Sequence, residues 1–162
     1  MTRADRIWSH PQYQHALGQI TKWERDRQFC RHDMGHFLDV ARLAYIQCLE
    51  EGFDVKKDVL YACALLHDIG RHRQYEDGIP HEEASVRLAD EILPECGFSK
   101  EEQAQIQDAI LGHRRKENAA AGASLLAQVL YRADKASRPC FACAARDACN
   151  WSKEKMNMEI RD

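Results

Sequence analysis

The sequence contains few residues that break helices and little that predicts a strand. Its 162 residues include four prolines and eight glycines. No segment alternates polar and apolar residues for long enough to favour a β-strand. These shortages argue against a β-rich protein, and the fold class that we predict is all-α.

Long apolar runs and an excess of one charge are also lacking. With 23 basic and 26 acidic side chains the net charge is −3, which offers no basic face for nonspecific binding of nucleic acid. No stretch approaches the roughly 18 apolar residues that cross a bilayer, and the first ten residues lack the apolar segment of a secretion signal. We therefore expect a cytoplasmic protein without a membrane or a long nucleic acid as partner.

The length and composition are those of one domain. Hydrophobic residues make up 44% of the chain, and a chain of this size buries about 68–70% of its unfolded surface, so a core can form without disulfides. We predict a helical domain over residues 1–138 and a short cysteine-containing tail over residues 139–162 that packs on it. A bundle of this size also tolerates formation of a homodimer.

Hydrophobic periodicity predicts six helices. They are expected near residues 9–26, 33–51, 55–70, 81–95, 99–113 and 121–137. The third, which contains VLYACALLHDI, is apolar on most sides and should lie at the centre of the bundle. The segment RHRQYEDGIP, residues 71–80, contains Asp-Gly and Pro turn signals and predicts a polar loop.

Five residues with ionisable or metal-binding side chains interrupt the apolar stripes of these helices: His36, His67, His81, His113 and Asp134. A buried imidazole or carboxylate loses hydration and needs a partner or a cation. Each histidine alone is more commonly a satisfied core or cap residue than a ligand. Together, these four histidines and one aspartate would need five separate partners, whereas one metal centre satisfies all of them.

The doublet His67-Asp68 also favours a metal centre. Adjacent helical residues project about 100° apart, so both reach one metal only at a helix end or along its flank. The doublet lies just before Gly70, where the chain is expected to leave the core. Imidazole and carboxylate together suit manganese, iron, nickel or zinc, and do not select among them.

These residues and their contexts resemble the signature of the HD-domain superfamily of metal-dependent phosphohydrolases. His36 lies in HFLDVARLA, the doublet in ALLHDIGR and Asp134 in YRADKAS. The resemblance implies a helical bundle in which these four residues hold a metal between helices. In dinuclear members, two further histidines bind a second metal and the doublet aspartate bridges; His81 and His113 stand at those positions here.

The resemblance also suggests a reaction. The pattern is similar to the branch that contains symmetrical diadenosine tetraphosphate hydrolases, although Arg71 replaces the lysine that often follows HDIG. We therefore expect Asp68 and Arg71 to be catalytic, with Asp68 orienting a metal-activated water, and Arg71, Arg114 and Lys135 to bind the substrate's phosphates. Arg115 and Lys116 are also basic, but a solvated surface charge is the commoner role. The doublet His32-Asp33 is interpreted as a decoy, with Asp33 a helix cap.

Three of the seven cysteines cluster in the tail as C-x2-C-x5-C: Cys140, Cys143 and Cys149. Soft thiolates at this spacing suit zinc or an iron–sulfur cluster, and the spacing looks like the last three ligands of the cluster loop in endonuclease III-type DNA glycosylases. Cys30 would complete the set if the tail packs back on that segment, and Cys96 is the alternative. A chance cluster of free thiols is the competing interpretation.

Three functions remain open at this point. The first is a phosphohydrolase that uses one or two divalent metals on a small phosphorylated metabolite such as a nucleotide or dinucleoside polyphosphate. The second is a di-iron oxygenase, which would use the same six ligands. The third is a regulatory module that senses metal or redox state through its cysteine tail.

Overall fold

Eight α-helices form the described part of the chain, residues 1–114 and 122–160 of this computed structural model. No strand occurs within those residues, and the predicted all-α fold is confirmed. None of these helices is long and apolar enough to cross a membrane. The helices are α1 (Arg3–Ser9), α2 (Pro11–Trp23), α3 (Met34–Glu51), α4 (Lys57–Leu66), α5 (Arg71–Asp77), α6 (His81–Glu95), α7 (Lys100–Gly112) and α8 (Leu125–Ala136).

Helix α4 lies at the centre, as its apolar sequence predicts. Every residue from Ala62 to Leu66 is buried, and the helix packs against α1, α3, α6, α7 and α8. Around it, α3 contacts α8, α8 contacts α7, and α7 contacts α6. The C-terminal end of α4, where the His67-Asp68 doublet follows, therefore lies inside the bundle.

The helix predicted near residues 9–26 is found as the shorter α2, but the helix α1 that precedes it was not predicted. Thr2 and Asp5 form a capping box that starts α1. His10 then adopts an extended conformation and caps α2, whose first residue is Pro11. Proline suits the first helical position but cannot continue a preceding helix, which explains the break.

The polar loop predicted over residues 71–80 is also wrong in its first seven residues, which form α5. Its inward-facing side chains are amphipathic rather than apolar: His72 is buried and Tyr75 is partly buried beside Trp23. The sequence of this segment therefore lacks the hydrophobic stripe that would predict a helix. Gly78 ends the helix in the left-handed conformation, with φ of 69°.

The remaining helices follow their predicted positions with shifted ends. Asp33 is the N-cap of α3, as predicted, and its carboxylate accepts a hydrogen bond from the backbone N–H of His36 (3.0 Å). Helix α4 ends at Leu66 rather than near Gly70. Helix α8 begins after the N-cap Ser124, and the predicted start at residue 121 lies outside the described residues.

Gly70 allows the turn after α4 to lie directly on the first turn of α6. A Cβ atom at this position would be 2.5 Å from the carbonyl oxygen of His81 and 2.7 Å from the carbonyl carbon of Ala84. The backbone N–H of Gly70 donates to the Ser85 hydroxyl at 2.9 Å. The contact therefore holds the His67-Asp68 turn close to His81.

We predict that Gly70→Ala lowers the free energy of unfolding by about 2 kcal/mol or more, because backbone atoms must move to admit the methyl group. Gly18→Ala in the exposed part of α2 is the matched control, since a Cβ there meets nothing within 4 Å. It should raise stability by about 0.5–1 kcal/mol. Urea unfolding of both variants without metal measures the difference, and equal stabilities would contradict the packing argument.

Candidate metal centre

Helix ends supply the predicted ligands. His36 lies in the first turn of α3 and His81 is the first residue of α6. His67 and His113 are the residues that follow α4 and α7. Asp134 lies in the last turn of α8. A helix end lets the chain turn towards the interior, so side chains from five segments meet without kinking a helix.

The carboxylate of Asp68 lies between two sets of imidazole nitrogens. Its Oδ2 is 3.3 Å from His67 Nε2 and 3.9 Å from His36 Nε2. Its Oδ1 is 3.0 Å from His81 Nε2 and 3.8 Å from His113 Nε2. One group of potential ligand atoms within 4.8 Å of one another comes from His36, His67, Asp68 and Asp134, and a second from Asp68, His81 and His113.

The outer nitrogens of the imidazoles are held by hydrogen bonds that orient the inner ones. Nδ1 of His67 contacts the carbonyl oxygen of Ala64 at 2.8 Å, and Nδ1 of His113 contacts that of Ile110 at 2.5 Å. Nδ1 of His81 contacts the side-chain oxygen of Gln74 at 2.7 Å. An acceptor at Nδ1 requires a proton there, so each ring would bind a cation through Nε2 once that nitrogen carries no proton, the arrangement typical of histidine ligands.

The donor set fits one or two divalent transition metals. His67 Nε2 and His81 Nε2 are buried and face the Asp68 carboxylate, but neither makes a well-aligned hydrogen bond with any described residue. An unsatisfied buried nitrogen costs free energy that a coordinated cation would recover. Asp68 and Asp134 supply negative charge beside both nitrogens, and mixed imidazole and carboxylate ligands suit manganese, iron, nickel or zinc.

Electrostatics keep the two aspartates ionised. Burial alone would raise the pKa of Asp68, but His67 and Arg71 hold it well below the ordinary value. Burial likewise opposes the charge on His67, yet Asp68 and Asp134 raise the pKa of that imidazole to about 9. Burial lowers the pKa of His36 to about 4. The site therefore offers two carboxylates and one exchangeable proton to an incoming cation.

Two guanidinium groups border the carboxylates. Arg71 Nε is 3.2 Å from Asp68 Oδ1, which places this predicted catalytic residue at the site. Arg138, which the sequence interpretation missed, directs Nη2 at His36 Nε2 (3.0 Å) and lies 3.9 Å from Asp134 Oδ1. The signal available in the sequence was its position four residues after Asp134, just beyond the end of α8.

His32, interpreted from the sequence as a decoy, is buried at the site. Its Nε2 lies 3.5 Å from Asp68 Oδ2, and its Nδ1 lies 2.5 Å from Glu24 Oε1. Tyr75 donates to the same Glu24 oxygen at 2.6 Å. Burial opposes ionisation of Glu24, but the contacts with His32 and Tyr75 hold its pKa at about 2. In the sequence, only the four-residue spacing of His32 and His36 indicated that His32 could lie at the site. No sequence pattern indicated a role for Glu24.

The other two predicted phosphate-binding residues line a groove that contains none of the predicted ligands, although one of the two contacts Asp134. Lys135 Nζ is 3.3 Å from Asp134 Oδ2 and stacks on the rings of Tyr131 and Trp151, at 5.4 and 5.2 Å from their centroids. These residues and the exposed Arg114 line a groove of about 830 Å³ between α3, α8 and the tail. Arg115 and Lys116 lie outside the described residues.

The tail cysteines form no disulfide, and neither does Cys30. Cys140 is buried, whereas Cys30, Cys143 and Cys149 are partly exposed. The tail contacts α8, because the Asn157 side-chain amide donates to the carbonyl oxygens of Lys135 (2.6 Å) and Arg138 (2.9 Å). The boundary at residue 138 and the metal-binding role of these thiols stay predictions.

We predict that metal binding to the metal-free protein near pH 7.5 releases about one proton, because a cation must displace the proton that His67 holds with a pKa of about 9. Calorimetric titration with Mn²⁺ in two buffers of different ionisation enthalpy measures the release. It should diminish as the pH rises through 9. Equal apparent enthalpies in the two buffers at pH 7.5 would contradict the assigned charge.

Comparisons with known proteins agree with this geometry. Residues 34–138 match the family model of the HD domain. The chain is 44% identical over 160 residues to an uncharacterized protein of Clostridium beijerinckii, covering 99% of both chains. The 1.45 Å crystal structure of a predicted HD superfamily hydrolase from an uncultured Thermotogales bacterium is also similar: the TM-score is 0.58 at 26% identity, covering 84% of this chain and 74% of that one. The chain belongs to the HD domain family.

Proposed function

We propose that the protein is a metal-dependent phosphohydrolase that acts on a nucleotide or a dinucleoside polyphosphate. The observation that carries this proposal is the buried Asp68 carboxylate, whose two oxygens face two sets of imidazole nitrogens. Membership of the HD domain family and the similarity to a predicted HD superfamily hydrolase support it.

The residues that would hold the metal ions are those of the two ligand groups: His36, His67, Asp68, His81, His113 and Asp134. When bound, divalent ions supply Lewis-acid chemistry, activating water at neutral pH and offsetting the negative charge of phosphoryl oxygens. Asp68 belongs to both groups, so its carboxylate would be a ligand in each. This carboxylate is almost completely buried.

The chain supplies further cations for the phosphates. Arg71 and Arg138 border the carboxylates, and Lys135, on the groove wall, contacts Asp134. Guanidinium groups bind phosphate oxygens through paired, charge-assisted hydrogen bonds. Arg71 is 15% exposed in its side chain, so a phosphate can reach it while its stem stays packed.

The groove supports a substrate that carries an aromatic base. Tyr131 and Trp151 present rings on its wall, with Lys135 stacked on both. A base that stacks on these rings would leave its phosphates next to Lys135 and Asp134. The groove volume of about 830 Å³ falls within the range of small-molecule sites.

His32 is placed to move a proton. Glu24 stays ionised and accepts the hydrogen bond from Nδ1, so the lone pair of Nε2 faces Asp68. Burial lowers the pKa of His32, which favours the neutral form at pH 7. His32 Nε2 can therefore accept a proton from the attacking water and return it to the oxygen of the leaving group.

Asp68→Asn should abolish hydrolysis of nucleoside phosphates and of diadenosine tetraphosphate, because the amide removes the charge that both ligand groups share. Phosphate release from a nucleotide panel, assayed with Mn²⁺ in the absence of oxygen, measures this activity. Asp39→Asn, an exposed aspartate of α3, is the matched control and should keep full activity. Turnover that requires iron and dioxygen would overturn the hydrolase proposal in favour of an oxygenase, and no turnover by the native protein would also contradict it.

His32→Gln should lower kcat by about 10²-fold or more while the metal content of the protein stays unchanged, since His32 moves a proton without serving as a ligand. The pH profile of kcat should lose its acidic limb. His15→Gln, on the exposed side of α2, should leave kcat and the pH profile as they are. Loss of metal together with activity would show that His32 acts as a ligand instead.

A further inference from the structure

Four thiols outside the histidine site come from two parts of the chain that the fold brings together. Cys30 lies between α2 and α3, and Cys140, Cys143 and Cys149 follow α8. A hydrogen bond joins the two parts, in which Arg138 Nη1 donates to the carbonyl oxygen of Arg31 at 3.0 Å. Within the first part, Arg27 Nε donates to the carbonyl oxygen of Cys30 at 2.9 Å.

The tail is folded so that its three thiols occur at successive turns. Residues Cys140–Ala142 and Arg146–Ala148 each form one turn of 3₁₀ helix, and a cysteine follows each turn. The backbone N–H of Cys143 donates to the carbonyl oxygen of Cys140 (3.2 Å), and that of Cys149 to the carbonyl oxygen of Arg146 (3.1 Å).

The tail thiols influence the Cys30 thiol electrostatically. Burial raises the pKa of the Cys30 thiol, the Arg138 guanidinium lowers it, and the thiols of Cys140, Cys143 and Cys149 each raise it. Several thiolates together would therefore repel one another unless a cationic centre bound them. The nearby Arg138 offsets part of that negative charge.

We propose that Cys30, Cys140, Cys143 and Cys149 bind a [4Fe–4S] cluster. Four cysteine thiolates are the usual ligand set of such a cluster, and three closely spaced cysteines with a more distant fourth are a ligand pattern of iron–sulfur proteins. Here the tail supplies three of the four thiols and the segment before α3 supplies the fourth. A structural zinc ion also accepts four thiolates, and the sulfide content distinguishes the two centres.

The cluster would link the tail to the segment before α3. The same tail carries Trp151 and Lys155 on the groove wall, and Arg138 connects the segment of Cys30 to His36. Bound iron and sulfide would therefore stabilise the wall of the groove. This role is separate from hydrolysis, which the histidine site performs.

The test uses the full chain, with Mn²⁺ at the histidine site, reconstituted without oxygen using ferrous iron and sulfide. We expect about four irons and about four acid-labile sulfides per chain, a broad visible absorption, and an electron paramagnetic resonance signal after reduction by dithionite. Cys30→Ala and Cys149→Ala should each lose most of the sulfide and the visible absorption. Far-UV circular dichroism establishes that each variant still folds.

Cys96→Ala is the matched control, because Cys96 is a buried cysteine at the end of α6 and should leave the sulfide content unchanged. Asp68→Asn should also keep the full sulfide content, so failure of the proposed hydrolase leaves this measurement intact. Zinc bound without sulfide would overturn the proposal, as would a native protein that takes up no sulfide or a Cys30 variant that keeps it all.

Discussion

The structure depends on the burial of one carboxylate. Asp68 is almost completely buried at the centre of a helical bundle, where an isolated charge would be strongly destabilising. Its two oxygens are therefore surrounded by imidazoles from α3, α6 and the residues that follow α4 and α7. This requirement explains why so many helices end at the same place, and why Gly70 must lack a side chain where the turn meets α6.

Much of this centre could be predicted from the sequence, because its ligands interrupt regular apolar patterns. His67 follows the most hydrophobic helix, and His113 and Asp134 continue buried stripes, so each was identifiable as a polar residue on an inward face. The central position of α4 followed from the same patterns. Helix α5 was not predicted, because its inward-facing residues His72 and Tyr75 are amphipathic and add nothing to a hydrophobic periodicity. The N-terminal helix was missed because the capping pair Thr2 and Asp5 was not recognised.

The residues around the ligands were harder to anticipate, since their roles arise from contacts between distant segments. Glu24 becomes significant only because α2 brings it to His32, and His32 only because it approaches Asp68. The placement of Trp151 beside Lys135 likewise requires the tail to fold back along α8. Local sequence patterns carry no information about such contacts between distant segments. The burial of a ligand, in contrast, can be predicted from the apolar pattern of its own helix.

Arg138 and Arg71 have a consequence for the charge balance of the bundle interior. Arg138 donates to His36 Nε2 and lies near Asp134, while Arg71 pairs with Asp68. The two buried carboxylates are therefore partly neutralised by cations that belong to the chain itself. Because each guanidinium is tethered within four residues of the carboxylate that it faces, folding that buries the acid also delivers its counterion.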